Sequence, residues 1–432
     1  MIERYTRPEM GRLWSDENKF RAWLEVEVAV CEVLTRQGLI PESDMAVIRD
    51  KADFDLKRID EIDAEVHHDV IAFLTSVAEH VGPASRHIHF GLTSSDVVDT
   101  AQALLMVRSV DLLVVGLDGL IEATRRRAIE HRHTVMVGRT HGIHAEPYTM
   151  GLKFASWHEE ATRNRSRLEA ARTEISHAKI SGSVGTYAHL GPEVEAEVLD
   201  RLGLRVEPVS TQVVPRDRHA IFASAMGVLA SSLDRIATEI RHLQRTDVRE
   251  VEEPFKSGQK GSSSMPHKRN PVRCENVSGL ARVVRANVQA ALENVALWHE
   301  RDISHSSVER VIVPDSTILC DFMLSRMTRI VEGLIVYPDA MLANLDRMKG
   351  LVFSQAVLLG LTRAGVTRED AYAIVQRNAM AVWEGKGTFK ELLSADAELR
   401  EALDRDALDA CFAPERFLQH VDTIYERVFG TV

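Results

Sequence analysis

The sequence predicts an all-α fold: three helical domains, the middle one a central bundle of long helices. Three observations carry that reading. Phe222, Met226, Leu229, Leu233, Ile236, Ile240 and Leu243 recur at alternating steps of four and three, a heptad seam that implies nearly parallel helix packing. From Val97 to about His131 the chain is apolar almost all round, with Leu104, Leu105, Leu112, Leu113, Val114, Val115 and Leu117; such a helix belongs inside a bundle or a subunit interface. Strand signals are few and short, Arg205 to Val209 being one.

Taken in order, residues 1–93 read as helices with polar joints. Phe20 to Gln37 ends at Gly38 with Pro41 just beyond, the usual stop signals. The joint Glu65–Val70 carries His67, His68 and Asp69, and the segment Arg86–Asp96 carries His87, His89, Thr93 and Ser94, ending in good N-cap residues. Any one of these histidines alone reads as surface solvation or capping; their density favours a site. The long helix after Val97 includes Arg125-Arg126-Arg127, read as a solvated face. Gly138–Gly142 is a break, after which Pro147 suits the first turn of a helix towards Lys179. Ser181–Thr186 is a Gly/Ser-rich joint, Pro215 precedes the seam helix, and Pro254 forces an exit into a polar loop. Pro271 starts the next helix, to about Leu297, and Pro314 starts another, to Val336. Beyond Arg347 shorter helices are divided by Gly365, Gly385, Gly387 and Pro414. The expected domains are therefore 1–93, 94–345 and 346–432.

Composition narrows the function. With 432 residues, 45% apolar and 27% charged, the chain is an ordinary globular protein, and a net charge of −11 disfavours a nucleic-acid partner. Cys31, Cys274, Cys320 and Cys411 are scattered, without a CxxC pair, which suggests reduced thiols, a cytosolic compartment and no zinc site. The charged N-terminus lacks an apolar signal core, and no long uncharged apolar run follows, so a soluble protein without membrane partner is expected.

The polar insert at 257–271 is where the chemistry is expected. Its three serines sit beside Lys268, Arg269 and Asn270, groups able to hold an anion and take a proton from it. Its composition predicts mobility and fits a catalytic lid or a plain tether equally well.

The run from Gly261 through Ser262, Ser263 and Met265 to Pro271 resembles the signature loop of the fumarase/aspartase superfamily, a specific match over eleven residues. The resemblance continues in His68-Asp69, in the run His89–Asp96 and in Thr140-His141. Within the superfamily the chain is most similar to the adenylosuccinate lyase branch, on Arg4-Tyr5, Lys268-Arg269-Asn270 and the run Arg301–Arg310. That resemblance implies β-elimination of fumarate from a succinyl-nucleotide, without cofactor or metal, in a homotetramer whose active sites each draw on three subunits. It implies Ser262 as base, His141 as general acid, Lys268 and Asn270 as the donors that activate Ser262, and Glu275 orienting His141 across a subunit boundary. His68 and His89 would bind phosphate or support the acid. Arg4, Tyr5, Thr93, Ser94, Gln212, Asn276, Arg301, Ser306 and Arg310 match nucleotide and succinyl contacts, with His67, Asp69, Ser263 and Arg269 as further candidates. Arginine suits the task because its planar fork meets carboxylate or phosphate at two points. Two other readings stand beside this one. A 3-carboxy-cis,cis-muconate cycloisomerase shares much of the loop, but His141 counts against it. A non-catalytic homologue would have no use for Ser262, His141 and Lys268 together.

Overall fold

The computed structural model describes every residue except 256, 257, 259–263 and 431–432. Ser262, Ser263 and the expected mobility of their segment lie outside the described residues. The chain is largely helical. It begins with α1 (Pro8–Leu13) and α2 (Asp16–Arg36), α2 capped by the Ser15 side chain and ended by Gly38 at φ +78°. Then follow α3 (Glu42–Lys51), α4 (Leu56–Val66), α5 (Asp69–Val81) and the 37-residue α6 (Ser94–Glu130). Strands β1 (Val135–Thr140) and β2 (Ile143–Thr149) precede α7 (Met150–Ile175), β3 (His177–Ala178), α8 (Pro192–Arg201) and β4 (Arg205–Val206). Next come α9 (Arg216–Leu243), β5 (Val251–Glu252), α10 (Val272–Glu293), α11 (Ser304–Gly333), β6 (Ile335–Val336) and α12 (Pro338–Asp346). The C-terminal segment opens with α13 (Ser354–Arg363) and α14 (Arg368–Trp383) and continues in short helices.

The seam of α9 is buried: Phe222, Met226, Leu229, Leu233, Ile236, Ile240 and Leu243 are each 3% exposed or less. Full burial of a side chain of this size is worth about 1.5–3 kcal/mol. This helix is long and apolar enough to cross a membrane, but the buried seam and the ion pair from Arg218 to Glu174 identify it as a core helix.

Three expectations are corrected. Residues 135–149 are not a joint followed by a helix; they form an antiparallel hairpin, Thr140 opposite Ile143 and Met136 opposite Tyr148. His141 and Gly142 make its two-residue turn with φ of +54° and +77°, the twist that closes tight hairpins, and Pro147 lies in β2 rather than at a helix start. Pro314 lies inside α11, which starts ten residues earlier than expected. Lacking an N–H, Pro314 leaves the Arg310 carbonyl without its usual helical donor. Arg127 is not solvated: it is buried, with Nη2 donating to the Leu334 carbonyl at 2.7 Å.

By contact density the chain divides into two compact units, and the division falls inside α6, α7, α9, α10 and α11. The first comprises Met1–Asp118, Arg163–Asp234 and Asn276–Arg326. Phe20, Trp23, Phe54 and Phe73 form an aromatic core there, Phe20 stacked on Phe73 at 5.7 Å. The second comprises Gly119–Thr162, Arg235–Glu275 and Met327–Val432. Its C-terminal core gathers Val357, Leu361, Ile374, Phe389, Leu393 and Leu399. A second cluster joins Val137 of the hairpin to Leu345, Val352 and Phe353.

Candidate active site

The first unit contains a cavity of about 650 Å³ lined by His67, His68, Asp69, Thr93, Ser94, Gln212, Arg301, Ser306 and Arg310, together with Asp63. Four separate stretches of sequence thus meet at one opening of the size small-molecule sites have. Local chemistry places each group. α4 ends on His67, whose left-handed backbone (φ +52°) turns the chain, and His68 caps α5 by accepting the Ile71 N–H on Nδ1 at 3.4 Å. With Nδ1 used as an acceptor, a neutral His68 carries its proton on Nε2. Asp69, the first residue of α5, holds Arg310 of α11 at 2.5 Å.

Thr93 and Ser94 sit where α6 begins. The Thr93 N–H donates to Asp96 Oδ2 at 2.8 Å, and the other oxygen of Asp96 takes Lys179 Nζ at 2.5 Å and the Gly182 N–H at 3.2 Å. Lys179 and Asp96 have fully buried side chains, and Lys179 also donates to the Gly182 carbonyl at 2.9 Å. A buried ion pair with its remaining positions hydrogen-bonded is a rigid anchor for the two loops it joins. Gln212 and Arg301 meet directly: Arg301 Nη1 donates to Gln212 Oε1 at 3.0 Å. The lining thus carries two arginines and two acidic groups, Asp63 and Asp69, the second of them paired with Arg310.

The other candidates of this unit lie apart from the cavity lining. His89, at φ +61°, puts Nδ1 2.6 Å from buried Glu27, which also accepts the His89 N–H at 2.8 Å. The carboxylate fixes a proton on Nδ1, and Nε2 is the atom left to meet a ligand. Tyr5 accepts from Asn276 Nδ2 at 3.4 Å, Asn276 in turn accepts from Arg326, and the Tyr5 ring stands edge-on to Phe322. Arg4 is exposed in the same N-terminal turn.

In the second unit His141 is exposed at the tip of the hairpin. The hairpin is clamped beside it, because Arg139 makes a two-pronged contact of 2.9 and 2.7 Å with Glu250, itself fully buried and bonded to Asn344. Arg269 pairs with Glu252 at 2.7 Å and lies over the Phe255 ring, while Lys268 is exposed and Asn270 half-buried. Glu275 is exposed in the first turn of α10, whose N-terminal amides at Arg273 and Cys274 are taken by Glu253.

His67, His89 and His141 all hold left-handed backbone conformations, sparsely populated for a residue with a Cβ and concentrated at functional turns. Sequence reasoning missed Glu27, Asp96 and Lys179. A signal existed for Glu27, a lone carboxylate on the apolar face of α2 among Trp23, Val30 and Cys31, and for Asp96, three residues after Thr93 in a capping pattern. Nothing in the local sequence marks Lys179.

Known proteins resemble this chain. A family model described as lyase matches residues 3–286, and one described as adenylosuccinate lyase C-terminus matches residues 350–428. An adenylosuccinate lyase from Synechocystis is 55% identical over 99% of this chain and 100% of its own. Among solved structures, a fumarate lyase from Mesorhizobium superposes with a TM-score of 0.91 at 28% identity, covering 100% of both chains. A 3-carboxy-cis,cis-muconate lactonizing enzyme from Pseudomonas putida reaches 0.89 at 28% identity, covering 98% of this chain and 96% of that one. The likeness in shape is thus shared with a fumarate lyase and a muconate lactonizing enzyme, whereas sequence identity nearly doubles towards adenylosuccinate lyase.

Proposed function

This chain belongs to the adenylosuccinate lyase family of the fumarase/aspartase superfamily, and from that premise we propose how its residues carry the elimination of fumarate. The substrates are adenylosuccinate, which leaves AMP, and the succinylated aminoimidazole-carboxamide ribotide of purine nucleotide biosynthesis, which leaves the carboxamide. Ser262 removes the proton from the carbon beside a succinyl carboxylate. The C–N bond breaks, its electron pair goes to the leaving nitrogen, and His141 supplies the proton that nitrogen takes. Charge that builds on the succinyl carboxylate is met by cations and amide donors, Lys268 and Asn270 of the polar loop and Arg301 and Arg310 in the cavity. His68 presents Nε2–H to a phosphate or carboxylate oxygen, Thr93, Ser94 and Ser306 add hydroxyls, and Glu275 orients His141.

The observation that carries this reading is the 650 Å³ cavity, which gathers nine candidates from four distant stretches, two of them arginines. We assign His141 and the 264–271 loop to neighbouring subunits of a homotetramer with sites shared by three chains, as the family resemblance implies. Val115, Ile221, Val228 and Val283 stay exposed on α6, α9 and α10, an apolar surface that packing between copies would cover. The four buried, unpaired cysteines suit a reducing cytoplasm. We retain the partition into 1–93, 94–345 and 346–432 as functional segments. The test is purified protein given adenylosuccinate or 3-carboxymuconate, followed by absorbance. Turnover of the first supports the proposal; turnover of the second alone, or of neither by a folded protein, overturns it.

A further inference from the structure

Arg301 is backed by a buried charged cluster that the elimination does not use as acid, base or substrate contact. Arg216, the first residue of α9, is 3% exposed; Asp99 of α6 is 5%, Glu309 of α11 4% and His305 3%. Arg216 grips Asp99 with two prongs, Nη2 to Oδ1 at 2.6 Å and Nη1 to Oδ2 at 2.7 Å, and reaches Glu309 Oε1 through Nε at 2.9 Å. One guanidinium facing two carboxylates leaves a net negative charge among largely buried groups, an arrangement that is expensive unless a second cation joins. Arg301 is that cation, and His305 is the connector. Its Nε2 accepts from Arg301 Nε at 3.2 Å, while its Nδ1 lies 3.2 Å from Glu309 Oε2. Arg216 Nη2 also lies 3.2 Å from His305 Nδ1, so the ring touches both arginines and Glu309, and across the cluster two guanidinium cations face two carboxylates. Burial would raise the Glu309 carboxyl, but the His305 hydrogen bond and the Arg216 charge hold it well below the usual carboxylate range.

The consequence for Arg301 is geometric. Its Nε is tied to His305 and its Nη1 to Gln212, so the plane of the guanidinium is set at two points in a residue that lines the cavity. We propose that Asp99, Arg216, Glu309 and His305 are positioning residues, a buried relay from α6 and α9 through α11 that fixes Arg301 for a substrate carboxylate or phosphate. The inference rests on Arg301 being a substrate contact, and the experiment separates the two.

The full-length enzyme is assayed as His305→Leu, His305→Gln, Arg301→Met and the double variant His305→Leu/Arg301→Met, with kcat/KM on adenylosuccinate as readout. His305→Leu removes the acceptor for Arg301 and is expected to lower kcat/KM about tenfold, whereas His305→Gln, which retains an amide oxygen acceptor, recovers most of that loss. In the Arg301→Met background, His305→Leu should cost less than about twofold, because the residue through which it acts is already gone. A penalty of the same size in both backgrounds would show a general structural effect and overturn the relay. An Arg301→Met enzyme with unchanged kcat/KM would instead remove Arg301 from the substrate site, and with it anything to position. Should His305→Leu not fold, His305→Asn, whose shorter amide cannot reach Arg301, takes its place with the same expectations. Inhibition by fumarate and by AMP, measured on Arg301→Met, tells which anion the arginine holds.

Discussion

Replacing Lys179 with methionine is the substitution whose cost follows most directly from the structure. Lys179 and Asp96 are fully buried and 2.5 Å apart. At an effective dielectric of about 20 their attraction is roughly 6–7 kcal/mol before the cost of desolvation is subtracted. Methionine fills similar volume but leaves Asp96 a buried carboxylate with only the Thr93 and Gly182 amides, and leaves the Gly182 carbonyl without the Lys179 donor. Removing one partner of such a pair typically costs about 3–5 kcal/mol. The two amides that remain place this case towards the lower end, at about 3 kcal/mol. Because Thr93 is held by Asp96, the loss reaches the cavity, and KM should rise several-fold as well. Denaturant unfolding followed by tryptophan fluorescence, together with steady-state kinetics, measures both effects. A Lys179→Met protein within about 1 kcal/mol of wild type, with unchanged KM, would refute the claim that this pair anchors the Thr93–Ser94 turn.

Other outcomes are equally specific. Arg310 pairs with Asp69 while largely exposed, so Arg310→Met should change stability by less than about 1 kcal/mol yet raise KM for adenylosuccinate about tenfold or more; thermal melting and kinetics separate the two. Burial, reinforced by the charge of Arg216, pushes His219 below the ordinary histidine range. A depressed pKa means that the unfolded chain binds the proton more readily, so the His219 contribution is present above about pH 6.5 and is lost as pH falls below it. Melting temperature followed from pH 7.5 to 5 should drop less steeply for His219→Phe than for wild type; parallel curves would exclude that source. Ser262→Ala and His141→Asn should each abolish most turnover while leaving folding intact. Under the proposed shared-site homotetramer, mixing the two inactive variants should restore part of the activity through hybrid sites, and no rescue after verified subunit exchange would contradict a shared site.

The sequence made the α9 seam and the ends of α2 legible because burial and capping leave local, periodic signals. The cavity residues were legible for a different reason: the family resemblance rests on short blocks that carry arginine, histidine and hydroxyl groups, and it singled out those positions. What the sequence hid was tertiary. The 135–149 hairpin carries Gly138, His141 and Pro147, which read as breakers until strand pairing uses each of them. Pro314 looks like a helix start, yet packing carries α11 through it. Arg127 looks solvated, but its partner is a carbonyl 207 residues away. Lys179 and the Arg216 cluster show the same limit, since a buried cation is recognised by partners far off in the chain and not by its neighbours.

The central claim is that the cavity bounded by His68, Arg301, Ser306 and Arg310 is where the succinyl-nucleotide sits. A crystal structure of the Ser262→Ala enzyme soaked with adenylosuccinate tests it most directly. The account predicts intact substrate in that cavity, an anionic group against Arg301 and Arg310, and His141 of another subunit near the bond to be broken. Substrate bound elsewhere, or bound in the cavity with both arginines turned away from its anionic groups, would contradict it.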